Sequence, residues 1–195
     1  MTYLNDRHKS DLRILKTQEK LREALGSLMT EKPFDSISVI EICEKANVRR
    51  ATFYRHYPDK GDFLVHTLNA IADEMRNETV RKYGTENLTD YIIGYVREIF
   101  DFINGHRRLF DNVLESSALF SIYEISLTTT QRLLIDNFTE ADKNREISFG
   151  TKLAAASFIN GGIANMVISF FKQNDENVEE FFSQLRIILG KLLSE

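Results

Sequence analysis

Ser38-Val39-Ile40-Glu41-Ile42-Cys43-Glu44-Lys45-Ala46-Asn47-Val48-Arg49-Arg50-Ala51-Thr52-Phe53-Tyr54-Arg55-His56-Tyr57 reads as two short helices joined by a tight turn, the second ending in aromatic and basic side chains. Such a helix-turn-helix lays its second helix in the major groove of DNA. Ser38 followed three residues later by Glu41 has the form of a capping box, and Val39, Ile42 and Ala46 follow at the spacing of one buried helical face. Asn47 stands where the chain must turn sharply and is among the few non-glycine residues that accept a left-handed backbone; Cys43, four residues earlier, is small enough for the two helices to cross closely.

Working outward, Phe53 and Tyr57, one turn apart, are the inward positions of the second helix. That leaves Arg50, Thr52, Tyr54, Arg55 and His56 facing outward or to the flanks. Arginine pairs bidentately with guanine, threonine meets a thymine methyl or a phosphate, and tyrosine or histidine at a helix end donates to the phosphate backbone. In Pro58-Asp59-Lys60-Gly61-Asp62 the proline stops the helix, Asp59 caps the next one, and Lys60 falls in its positively polarised first turn, where a phosphate is accommodated. The plainer alternative is a charged surface helix of a bundle. The capping box, tight turn and aromatic-basic end, occurring together and in this order, favour the DNA reading.

From about residue 12 to 64 the chain resembles the DNA-binding domain of the TetR family of bacterial regulators, most of all in Thr52-Phe53-Tyr54-Arg55-His56-Tyr57-Pro58-Asp59-Lys60-Gly61-Asp62-Phe63-Leu64. The resemblance implies that Thr52, Tyr54, His56 and Lys60 contact DNA, mostly phosphates, with Arg49, Arg50 and Arg55 as candidates for base or phosphate contact. Two positions depart from the family pattern. Asn47 stands where glycine is frequent, and Arg49 where serine is, so the usual hydroxyl cap of the second helix is missing. The C-terminal half is similar to regulators of the dihydroxyacetone-kinase operon subgroup.

At 195 residues with 43% apolar side chains, the chain has material for a packed core. Its net charge of −4 is unevenly distributed: residues 1–66 hold 12 Lys and Arg against 10 Asp and Glu, and residues 67–195 hold 13 against 19. A positive surplus near one helical face attracts phosphates, while an acidic remainder keeps the rest off the polyanion. One cysteine excludes an internal disulfide and a cysteine metal cluster, residues 1–20 lack the apolar core of a signal peptide, and the cytoplasm is the expected location. Leu153 to Phe171 is uncharged and long enough to cross a bilayer, but it contains Asn160 and Asn165 and lacks repeated basic flanks. It is expected to be buried under its own domain on one side and a partner subunit on the other, with no membrane role.

Both prolines, Pro33 and Pro58, fall in the first third, and no strand pattern or repeat appears, so the expected fold is all-α. Residues 1–58 are the expected DNA-binding domain and 59–195 the effector-binding and dimerisation domain. A bracing helix is expected from Asp11 to Glu31, and a lever helix from Asp59 to Lys82 ending at Gly84. Further helices are expected over Thr89–Asn104, Arg107–Glu115, Ser117–Phe138, Glu146–Lys172 and Val178–Leu193, the last opened by Asn177 and Glu180, with a loop at Glu140–Arg145. The last two helices offer small residues (Gly161, Gly162) and large ones (Phe158, Phe181, Leu185, Ile188, Leu189) for a four-helix dimer seam. The same residues suit a monomer's core; the resemblance favours the seam, because TetR-like regulators dimerise through their last two long helices.

Tyr91, Tyr95, Phe120 and Tyr123, with Phe100, Phe102, Phe110 and Phe138, supply aromatic surface for an apolar effector pocket or for ordinary core packing. The resemblance implies an unidentified small-molecule effector that moves the fourth helix and releases a palindromic operator, and so a repressor. An enzyme is not expected: His8, His56, His66 and His106 lack metal-ligand spacing, no nucleophile motif or glycine-rich phosphate loop appears, and no cofactor is implied. The competing function is a coactivator working through contacts with another regulator, its own DNA contacts being weak.

Overall fold

The computed structural model describes residues 2–84, 86–128, 149–173 and 176–193, and every regular element among them is helical. Helix α1 spans Thr2–Met29, α2 Val39–Ala46, α3 Arg50–His56, α4 Lys60–Tyr83, α5 Leu88–Gly105, α6 Arg107–Leu114, α7 Ala118–Thr128, α8 Phe149–Lys172 and α9 Val178–Leu193. A single 3-10 turn, Phe34–Ser36, follows Pro33. The expected loop at Glu140–Arg145, the helix end at Phe138 and the helix start at Glu146 lie outside the described residues.

Local chemistry explains most boundaries. Helix α1 begins nine residues before the expected Asp11, because no glycine or proline interrupts the chain until Gly26. Ser38 Oγ accepts the Glu41 N–H at 3.2 Å and the Glu41 carboxylate accepts the Ser38 N–H at 2.9 Å, so the capping box is closed. Asn47 adopts φ 52° and ψ 47°. Gly84, at φ +69°, ends α4. Asp59 Oδ1 accepts the Asp62 N–H at 2.8 Å to open α4, and Asn177 Oδ1 accepts the Glu180 N–H at 3.1 Å to open α9. Helix α5 starts one residue before the expected Thr89, because Asn87 Oδ1 caps it through the Asp90 N–H at 2.9 Å.

The chain forms two compact units. One comprises Met1–Thr67 with His106–Ser121; the other comprises Leu68–Gly105 with Ile122–Glu195. The packing division falls inside α4, and α6 with the first turn of α7 belongs to the helix-turn-helix unit. The cause is packing: Phe63 and Leu64 of α4 are buried, with the Phe63 ring 5.4 Å from Phe53 and 4.7 Å from Tyr57, and α6 packs on α1. In the other unit α5 packs on α9, and Phe100 sits 4.7–5.0 Å from the rings of Phe170, Phe171, Phe181 and Phe182. Phe100 is thus the centre of a cluster of five rings.

Candidate nucleic-acid interface

Helix α3 is held by its inward aromatics. Phe53 is fully buried and Tyr57 nearly so, and each buried ring contributes about 1.5–3 kcal/mol to docking the helix. Their registration fixes what faces solvent: Arg49, Arg50, Tyr54 and Arg55 are exposed, Thr52 and His56 half-buried. The Tyr54 ring meets Phe53 edge-on at 5.5 Å and is 48% exposed. Arg49 is the N-cap of α3 and makes no side-chain capping bond. Among the described residues, no hydrogen bond or ion pair occupies the guanidinium groups of Arg49, Arg50 and Arg55, so three cations and one phenol share this short helix unspent.

Lys60 departs from expectation. Its ammonium donates to the carbonyl oxygens of Phe34 at 3.0 Å, Asp35 at 3.2 Å and Ile37 at 2.7 Å, and lies 4.4 Å from the centre of the Phe34 ring. An ammonium has three protons, and all three are engaged. Lys60 is an internal tie between the start of α4 and the turn before α2, rather than a group presented to phosphate.

The expected dimer residues divide. Phe158 is 70% and Ile188 42% exposed, and Gly162 is open. Phe181, Leu185 and Leu189 are buried in the protomer's own core and have no surface left for a partner. Gly161 faces inward, since a methyl there would meet the Tyr123 hydroxyl at 3.5 Å. Leu153, Ile187 and Leu192 join the exposed set. Helix α8 contains a segment, Leu153–Lys172, long and apolar enough to cross a membrane by length and composition, of which 28% is buried. Ala156, Ile159, Asn160, Val167 and Phe170 form its inward stripe.

The four expected pocket aromatics are divided between the two units. Phe120 is 69% exposed and belongs to the first unit, whereas Tyr91, Tyr95 and Tyr123 belong to the second. Tyr91 is buried, and burial raises its phenol pKa; burial also pushes Tyr95 up to about 12. A cleft of about 290 Å³ in the second unit is lined instead by Lys82, Tyr83, Arg97, Glu98, Phe100 and Phe182 among others. Among the described residues no group of three His, Cys, Asp or Glu could hold a metal ion.

Comparison with known proteins bears on this arrangement. Residues 21–74 match the family described as bacterial regulatory proteins, tetR family, and residues 90–191, more than half of the chain, match the family described as transcriptional regulator C-terminal region. The chain belongs to the TetR family. This regulator is 40% identical over 55 residues to the HTH-type transcriptional regulator YxbF of Bacillus subtilis, a stretch covering 28% of this chain and 14% of that protein. It is 28% identical over 82 residues to the HTH-type dhaKLM operon transcriptional activator DhaS of Lactococcus lactis, covering 42% of this chain and 44% of that one. The TetR-family chain thus spans less than half the length of either of these relatives.

Solved structures share the fold of this TetR-family chain. The regulator FadR of Bacillus subtilis, determined in complex with stearoyl-CoA, superposes with a TM-score of 0.62 at 16% identity, covering 90% of this chain and 97% of that one. A tetR-family regulator of Streptomyces coelicolor gives 0.64 at 16% identity over 91% and 80% of the two chains. The dihydroxyacetone kinase operon activator DhaS gives 0.60 at 18% over 91% and 94%. These structures show the fold; the two family matches are what make the chain a TetR-family transcriptional regulator.

Proposed function

We propose that this regulator works in the cytoplasm as a homodimer, binds a palindromic double-stranded operator through α3, and represses until a small-molecule effector releases it. One observation carries the reading: the exposed, unspent Arg49, Arg50, Tyr54 and Arg55 on a helix anchored by Phe53 and Tyr57. Arg49, Arg50 and Arg55 are assigned to base edges or phosphates, and Tyr54, with the half-buried Thr52 and His56, to phosphates. Lys60 is left out, because its donors are consumed. Residues 1–58 supply the contacts and 59–195 the effector response and the pairing, with exposed Phe158, Gly162 and Ile188 facing the second copy. A second copy covers the open face of α8 more economically than lipid, since its Asn165 and glycines gain nothing from hydrocarbon. Two recognition helices related by a two-fold axis read half-sites one helical turn apart.

Selection of duplexes from a random pool, followed by footprinting, tests the proposal. A pseudo-palindrome should be recovered, bound with an affinity that falls steeply as salt rises. Recovery of no duplex would refute it. The likeness to a protein named as an operon activator supports a second reading, a coactivator held at promoters by another regulator. Retention of a promoter fragment only when a second protein is present would favour that one.

A further inference from the structure

The three-residue turn Phe34–Ser36 is tied to helices before and after it in the first unit. Lys60, the first residue of α4, donates to the carbonyls of Phe34, Asp35 and Ile37. Asp35 sends its side chain elsewhere: Oδ2 accepts the backbone N–H of Ser117 at 2.9 Å and Oδ1 accepts the Ser117 hydroxyl at 2.5 Å, 82 residues along the chain at the start of α7. Beside it, Asn112 of α6 donates to the carbonyl of Met29, the last residue of α1, at 2.8 Å. Just after it, Ser38 caps α2.

The chain passes between its two compact units at 67/68, 105/106 and 121/122. The first crossing lies within α4 and the third within α7. Both helices are therefore bonded, near their starts, to the same turn, and that turn leads directly into the first helix of the DNA-binding motif. We infer that Asp35 is a positioning residue for DNA recognition, coupling α7 to the helix-turn-helix so that the pose of α2 and α3 is set from α7 as well as from α4. The inference rests on the operator-binding reading above and adds the route by which an effector's message enters the motif. The Ser117 hydroxyl, and after it the Ser117 N–H, hold the Asp35 carboxyl below the usual range, so both bonds are charge-assisted at neutral pH.

The experiment uses the full chain and the duplex selected by the wild type. Asp35→Ala, Ser117→Ala and their double variant should each bind about five- to twentyfold more weakly, a coupling of the ordinary allosteric size. The double variant should be no weaker than Asp35→Ala. The slope of affinity against salt should stay at its wild-type value, since no phosphate contact is lost. Asp35→Asn, which keeps one acceptor, should recover part of the affinity. Wild-type affinity in both single variants, with faster hydrogen exchange at the Ser117–Leu119 amides, would reduce Asp35 to a cap of α7 and overturn the inference, as would losses that simply add. If Asp35→Ala fails to fold, Ser117→Ala and Asp35→Asn decide on the same criteria. A wild-type chain that selects no duplex removes the operator reading and this inference with it; selection followed by unaffected variants removes this one alone.

Discussion

The ring of Tyr83, the last residue of α4, lies on the bare backbone of Gly94 in α5: a methyl group at Gly94 would stand 2.3 Å from Tyr83 Cδ2 and 2.6 Å from its Cγ. Elsewhere in a helix, glycine to alanine gains about 1 kcal/mol. Here overpacking of about 1–3 kcal/mol opposes that gain, because the clash reaches the root of the ring and not a flexible tip. Gly94→Ala should therefore lower the urea midpoint, and the same change in a Tyr83→Ala background should raise it. A stabilising Gly94→Ala in the wild-type background would show that the ring swings aside freely.

Glu41 gives a pH signature. The Lys32 ammonium at 2.5 Å, followed by the Ser38 N–H and hydroxyl, holds its carboxyl down at about 2, against an ordinary 4.5. A carboxyl depressed in the folded state adds stability that is fully present above 4.5 and is lost as pH falls toward 2. Denaturant melts of wild type and Glu41→Gln between pH 6 and 2 should converge on the acid side. Parallel curves would mean the cap carries no net charge effect.

Substitutions on α3 and at Lys60 should separate by mechanism. Arg50→Ala and Arg55→Ala should weaken operator binding and reduce the salt slope by about one each if they meet phosphate, while Tyr54→Ala weakens binding with the slope nearly kept. Lys60→Ala should cost about 2–3 kcal/mol in folding, as expected when several carbonyls lose a charged donor. Salt-dependent anisotropy titrations and thermal melts on the same samples check both halves. A Lys60→Ala protein of full stability with a reduced slope would return Lys60 to the phosphate backbone.

The two kinds of apolar residue on α8 and α9 predict opposite phenotypes. Phe158→Asp or Ile188→Asp should yield a folded chain of half the mass in sedimentation, because only exposed contacts are lost. Leu185→Ala should keep its assembly and lose about 2–5 kcal/mol of stability through a core cavity. Unchanged sedimentation of Phe158→Asp would place the subunit contact elsewhere.

Local signals in the chain were sufficient for the helix-turn-helix. Ser38 with Glu41, Asn47, Asp59, Gly84 and Asn177 each act within five residues of themselves, and each does in the structure what its chemistry predicts. What was not legible is long-range. Lys60 reads as a phosphate donor until the turn 23–26 residues before it supplies three carbonyls. Asp35 and Ser117 are ordinary surface residues until α6 and α7 bring them together. On α9, apolar side chains cover most of the circumference, so periodicity alone does not separate Leu185, inside, from Ile188, outside. The aromatics are ambiguous for the same reason: a phenylalanine such as Phe100 lines a cavity or fills a core depending on what four other rings do.

Leu153 and Phe158 on α8, and Ile187, Ile188 and Leu192 on α9, leave a good deal of grease in contact with water. A polypeptide made in small copy number meets few siblings, and its uncovered oily flank is what chaperones and quality-control proteases recognise. Under the proposed pairing these side chains are sheltered only while two copies stay together, so the lone protomer is the form that carries the oily flank.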